Sequence, residues 1–394
     1  MPDLKSMKIF DQAIIICQKL GLEYIWIDSL CIFQDSQDDW RHEASLMSTV
    51  YKYSKCTITA TAANDDTVGC FFDRDLDIGF ATRVKFLRNQ IYFLGASKQS
   101  IINSNLLLED SRSTLPRGRY DIQGDSTWIR EISNAPVNQR AWGFQERLLS
   151  PRVLHFSDRQ LFWECAELQA SESLPFGMPN YVEANSKTLS PCQSQGHYLT
   201  DLSIEIETLP QKRMRLKYAS LIWSSAVITY TKGRLTKGSD KLVAISAIAR
   251  ELQLSMRFRY LAGLWEVDLV SQLAWYTCEA SYPSMMYRAP SWSWASVDGA
   301  VMFPVLSDPD SHNLLIKILK VLTDLVGEDE FGQVKGGRLK LLGQTIDFEI
   351  HLDIAEHEDR ILINGQPTIL RLTKDDKNIG IGFQRKSSAV CLSI

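Results

Sequence analysis

The chain has 394 residues, 45% hydrophobic and 23% charged, with a net charge of −4. At roughly 100–200 residues per domain this predicts two or three globular domains, each with a core of its own. The charge balance gives no electrostatic reason to expect nucleic acid or an anionic membrane as partner, and no apolar run reaches the roughly 18 residues of a membrane span.

Residues 6–20 place Phe10, Ala13, Ile14, Cys17 and Leu20 at helical spacing, with Gly21 as the stop. Tyr24-Ile25-Trp26-Ile27-Asp28 is a short apolar run closed by a carboxylate, the pattern of a strand buried on both faces of a parallel sheet. A helix is predicted over 38–54, opened by the Ser36/Asp38/Asp39 cluster suited to capping and to the helix dipole. The β-branched run 57–62 reads as the next strand. Strand, helix, strand in that order implies a right-handed crossover, and hence an α/β fold with a parallel sheet.

Further on, RVKFL and IYFLG form a predicted hairpin around 88–90, and 101–135 reads as loop. A short helix is expected over 138–149, then a second hairpin around Ser157-Asp158. Helical patterns return at 213–232 and 240–253, and the tail 313–394 alternates apolar runs with Gly and Asp turns, as a β-rich region does. Trp292 and Trp294 alternate as along one face of a strand, and a packing role is expected of them. The predicted organisation is 1–165, a variable connection 166–210, and an α+β region 211–394.

None of the eight cysteines sits at CxxC spacing, and the six histidines show no H-x-x-x-H pattern, so no metal site is written in the spacing. Cys17 and Cys31 lie in apolar runs and are expected as free core thiols. A reducing, cytoplasmic setting is the default expectation.

Three segments, residues 24–75, 138–165, and 260–269 with 288–299, resemble the fungal heterokaryon incompatibility (HET) family. The first reads WIDSLCI-Q-D, then W-x-x-E-x-x-x-M-x-x-x-Y, a Thr/Ala-rich strand and a Gly turn. The second contains NQRAWGFQERLLSPRVLHF, and the third YLAGLWEVDL and RAPSWSWASVDG. The resemblance implies a HET domain over 1–165, a signalling module of non-self recognition that triggers regulated cell death through self-association or a protein partner. Family members carry a further strand ahead of the first helix. Its absence here predicts a reduced or truncated member with an exposed sheet edge or an unfilled groove.

The HET domain is held to be distantly TIR-like, and some TIR proteins cleave NAD with a glutamate in a W-x-x-E setting. Trp40-Arg41-His42-Glu43 fits that pattern, so the resemblance implies NAD as a substrate, Glu43 as the catalytic carboxylate steadying an oxocarbenium-like transition state, and Asp28 bordering the same groove. Helical spacing sets Glu43 on one face with Trp40, Met47 and Tyr51, where a carboxylate needs a partner or serves as acid or base. The structural alternative pairs Glu43 with the 28–35 loop or with Arg140. Arg140, Trp142, Gln145, Glu146 and Arg147 read either as a ligand or partner surface or as a helix packed by Trp142 with bracing charges. An accessory protein without a cell-death role is the remaining functional alternative.

Overall fold

The computed structural model describes residues 8–74, 127–178, 209–277, 282–304 and 316–343, and the backbone alone of seven strands between 82 and 368. The chain divides into two compact units interleaved along the sequence. One comprises Met1–Cys31, Tyr51–Gln139 and Ser150–Thr188; the other comprises Ile32–Val50, Arg140–Leu149 and Leu189–Ile394.

The first unit opens with helix α1 (Lys8–Lys19), which buries Gln12, Ala13, Ile16 and Cys17. Gly21, at φ +69°, ends it as expected. The run Tyr24–Asp28 is not a strand: no strand among the described residues pairs with it, and Tyr24 is 87% exposed. The Ile27 carbonyl accepts from the Leu30 and Cys31 amides, and the Asp28 carboxylate accepts from the Ser29 amide at 2.7 Å, so the chain turns into helix α2 (Asp28–Cys31). Cys31, expected in the core, is exposed on that turn.

Strand β1 (Thr57–Thr59) lies at one edge of a four-stranded sheet. Its parallel partner is β6 (Arg152–Phe156), paired Thr57 to Val153, and β6 runs antiparallel to β7 (Leu161–Cys165), followed by β8 (Gln169–Ser171). The sheet is thus mixed, with one parallel pair, and the hairpin at Ser157-Asp158 forms as the sequence predicts. The predicted hairpin around 88–90 is also present, as β2 (Thr82–Leu87) and β3 (Gln90–Phe93). They join β4 (Ile101–Asn103) and β5 (Gly118–Ile122) in an antiparallel sheet. Residues 101–135 therefore hold two strands and a π-helical turn, Ile129–Ser133, in place of the expected loop. Periodicity misses such short pieces because each is completed by a distant partner.

In the second unit, helix α3 (Gln37–Tyr53) enters through Ile32–Val50, and α4 (Ala141–Leu149) docks on α5 (Leu209–Tyr230) and α6 (Val243–Met256). Gly233, in the turn after α5, permits a close approach to the start of α4: a Cβ there would sit 2.9 Å from Ala141 Cα. Trp223, Tyr230, Trp265 and Trp294 are fully buried at the centre. Gly263 at φ +98° lets both Trp223 and Trp294 donate their indole N–H to its carbonyl, at 3.1 and 2.7 Å. Trp294 packs as expected, although it lies on a 3₁₀ turn: Ser293 Oγ accepts from the Ala295 amide and breaks the strand pattern.

The short strands β9 (Tyr260–Leu261) and β10 (Leu264–Trp265), helix α7 (Leu269–Gln272), and the pairs β11 (Tyr276–Thr277) with β14 (Val301–Met302) and β12 (Tyr282–Pro283) with β13 (Val297–Asp298) surround this core. The tail is β-rich as predicted: a long hairpin of β15 (Ile316–Leu325) and β16 (Val334–Gly343) precedes a three-stranded sheet, β17 (Phe348–His351), β18 (Arg360–Ile363) and β19 (Gln366–Thr368). Of the predicted connection 166–210, residues 179–208 lie outside the described residues.

Candidate functional site

The W-x-x-E segment is positioned by its cap. Ser36 Oγ accepts from the Asp39 amide at 3.2 Å, and the Asp39 carboxylate reaches back to the Phe33 amide at 2.8 Å. The first bond satisfies a donor that a helix start leaves open, and the second ties the preceding loop to the first turn. One turn on, Trp40 meets Trp142 of α4 edge to face, with ring centroids 6.3 Å apart and planes at 84°. The two motif segments of the sequence are therefore joined by their tryptophans.

Glu43 follows Trp40 by three residues and precedes the buried Met47 by four, and it is half-buried on that face. It has no hydrogen-bond or ion-pair partner among the described residues: Arg41 binds Asp38 at 3.0 Å, and Arg140 is exposed without an ion pair. Among the described residues the pairings open on sequence grounds, with Arg140 or with residues 32–35 of the 28–35 loop, are not formed. Arg140 acts through its backbone, bridging in parallel to Arg234.

The remaining α4 residues fall on different sides. Glu146 and Arg147 are half-buried and engaged by neighbours. Gln145 is 1% exposed, and neither atom of its amide has a partner among the described residues. A buried amide in that state costs about 1–3 kcal/mol per group. Asp28 belongs to the other compact unit, exposed at the head of α2.

The first unit holds two polar clusters that the sequence reading did not single out. Glu131, on the π-helical turn, accepts from Ser157 Oγ at 2.5 Å, and Arg130 and Arg159 approach its other oxygen at 2.8 and 3.5 Å. Under Trp128, the fully buried Thr61, His155 and Glu164 form a line: Thr61 Oγ1 is 3.1 Å from His155 Nδ1, and His155 Nε2 is 3.3 Å from Glu164. The signal was present in the alternation of RVLHF and LFWEC, which puts His155 and Glu164 on the face of Val153 and Phe162. Their burial makes this line a structural element of the sheet, where each polar group is paired as low dielectric demands. Among the described residues, no group of three or more His, Cys, Asp or Glu could hold a metal ion.

The first unit holds a mixed sheet with one parallel pair, and the second holds the half-buried Glu43 one turn from the Trp40–Trp142 contact; helices and strands together define a mixed α and β protein. Residues 2–146 match the model of the heterokaryon incompatibility protein (HET) family. No curated protein and no solved structure matches the chain.

Proposed function

We propose that this protein is a signalling module of heterokaryon incompatibility in fungi, acting through residues 1–165 to trigger regulated cell death when it self-associates or meets a protein partner. The observation that carries this reading is the HET match over 2–146. The Trp40–Trp142 clasp supports it, because it ties together the two segments that make up the motif. Expression of the full chain in a fungal host, scored by growth and vital-dye uptake, is expected to reduce viability. Unchanged viability at high expression, with a monomeric mass by light scattering, overturns the proposal.

A second reading assigns a TIR-type NAD glycohydrolase activity to Glu43. The observation that favours it is a half-buried carboxylate left without hydrogen bond or ion pair among the described residues, on the face of a tryptophan. Such a group is available to steady developing positive charge at a ribose carbon. Purified protein incubated with NAD would release nicotinamide, and Glu43→Gln would lower the rate by about 100-fold or more. No release from the parent chain, or an undiminished variant, refutes this activity and leaves the signalling reading standing.

A further inference from the structure

The β15–β16 hairpin presents two unlike faces. Toward the rest of the second unit it turns Val321, Thr323 and Gly337. A Cβ at Gly337 would collide with Pro290 and Trp292, so the ribbon lies flush there. Its tip is pinned: Arg250 binds Asp329 at 2.5 Å, Phe331 packs on Tyr260 at 5.1 Å between centroids, and Gln333 donates to the Ser239 carbonyl. The ribbon is a fixed platform.

Toward the tip the outer face carries Asp324 opposite Gly336, and beyond it three further cross-strand pairs, Lys317 with Leu342, Lys320 with Lys340, and Leu322 with Arg338. All six residues are exposed, Leu322 at 40% and Leu342 at 60%. None of the four cations has an ion-pair partner among the described residues. Lys320 directly opposite Lys340 is a repulsive arrangement that costs stability within the hairpin. A chain of net charge −4 thus gathers four cations against the single carboxylate of Asp324, with leucines set among the cations, on one rigid ribbon.

We propose that this face docks on a membrane surface bearing acidic phospholipids. The four cations suit the headgroup charge, and the two leucines suit the boundary between headgroups and acyl chains. A nucleic-acid phosphate backbone would satisfy the lysines and Arg338 and leave both leucines without an apolar partner, which decides between the two polyanions.

The test is flotation of the full chain with phosphatidylcholine vesicles, with and without phosphatidylserine. Binding is expected only to the acidic vesicles, weakening as salt is raised. The double variant Lys320→Gln, Lys340→Gln is expected to lose about 30-fold in affinity. It relieves the cross-strand repulsion, so its melting temperature should be no lower than the parent's, which separates lost binding from lost folding. Leu322→Ser with Leu342→Ser should weaken binding and leave its salt dependence unchanged. Equal binding to neutral vesicles, full binding by the double lysine variant, or capture by duplex DNA in place of vesicles overturns the proposal.

Discussion

Replacing Lys241 with methionine should flatten the pH dependence of this protein's stability. Lys241 is 5% exposed, donates to the Val297 carbonyl and lies 5.9 Å from the Trp294 ring centroid. Burial above all, and then the Arg288 guanidinium, pull its pKa down from 10.5 to about 7, against the opposing pull of Asp298. The folded chain therefore releases this proton as pH rises through about 7, and the unfolded chain holds it until about 10.5. Between those values the unfolded state binds the extra proton, so stability rises with pH. The span is 10.5 minus about 7, or roughly 3.5 pH units, and at about 1.4 kcal/mol per unit it corresponds to a gain on the order of 5 kcal/mol.

Methionine removes the titration and leaves the Val297 carbonyl without its donor, a loss of about 1–3 kcal/mol that does not vary with pH. Urea unfolding of parent and variant at a series of values from about pH 6 to about pH 9 should show a stability difference that grows in the parent's favour by about 2 kcal/mol or more across the range. Parallel curves for the two proteins would refute the reasoning, since a lysine that stays charged in the folded state contributes no such slope.

Gln145→Met substitutes a chain of similar shape without the two unpartnered amide atoms. An increase of about 1–3 kcal/mol in unfolding free energy is expected by urea titration, and a loss of that size would show that the amide is held in the native state. The thiols should separate by environment. Burial raises the Cys70 pKa to about 11 at 1% exposure, whereas Cys31 is exposed. With about 100-fold less thiolate than an ordinary cysteine at neutral pH, Cys70 should escape a maleimide in the native protein while Cys31 is labelled, as read by peptide mass mapping. Labelling of Cys70 at the rate of Cys31 would contradict the burial.

Local signals carried far into the candidate site. Helix positions followed from apolar spacing, and the start of α3 from Ser36 and Asp39, whose cap sets Trp40 and Glu43 one turn inside. The motif pattern anticipated the family match. It did not reveal that Trp40 would find Trp142, because segments about a hundred residues apart meet only through the packing of other elements.

The sequence by itself determined the helices, the tight hairpins and the match of residues 2–146 to the HET family, since each is encoded in residues close together or in a fixed pattern. Tertiary structure alone decided that Tyr24–Asp28 stays out of the sheet while β6 takes the place beside β1, that Gln145 is sealed and Cys31 exposed, and that the cations of β15 and β16 share one outer face. An apolar run states what it can bury and leaves open against what; that choice is settled by the free energy of whole surfaces coming together, which no window of sequence contains.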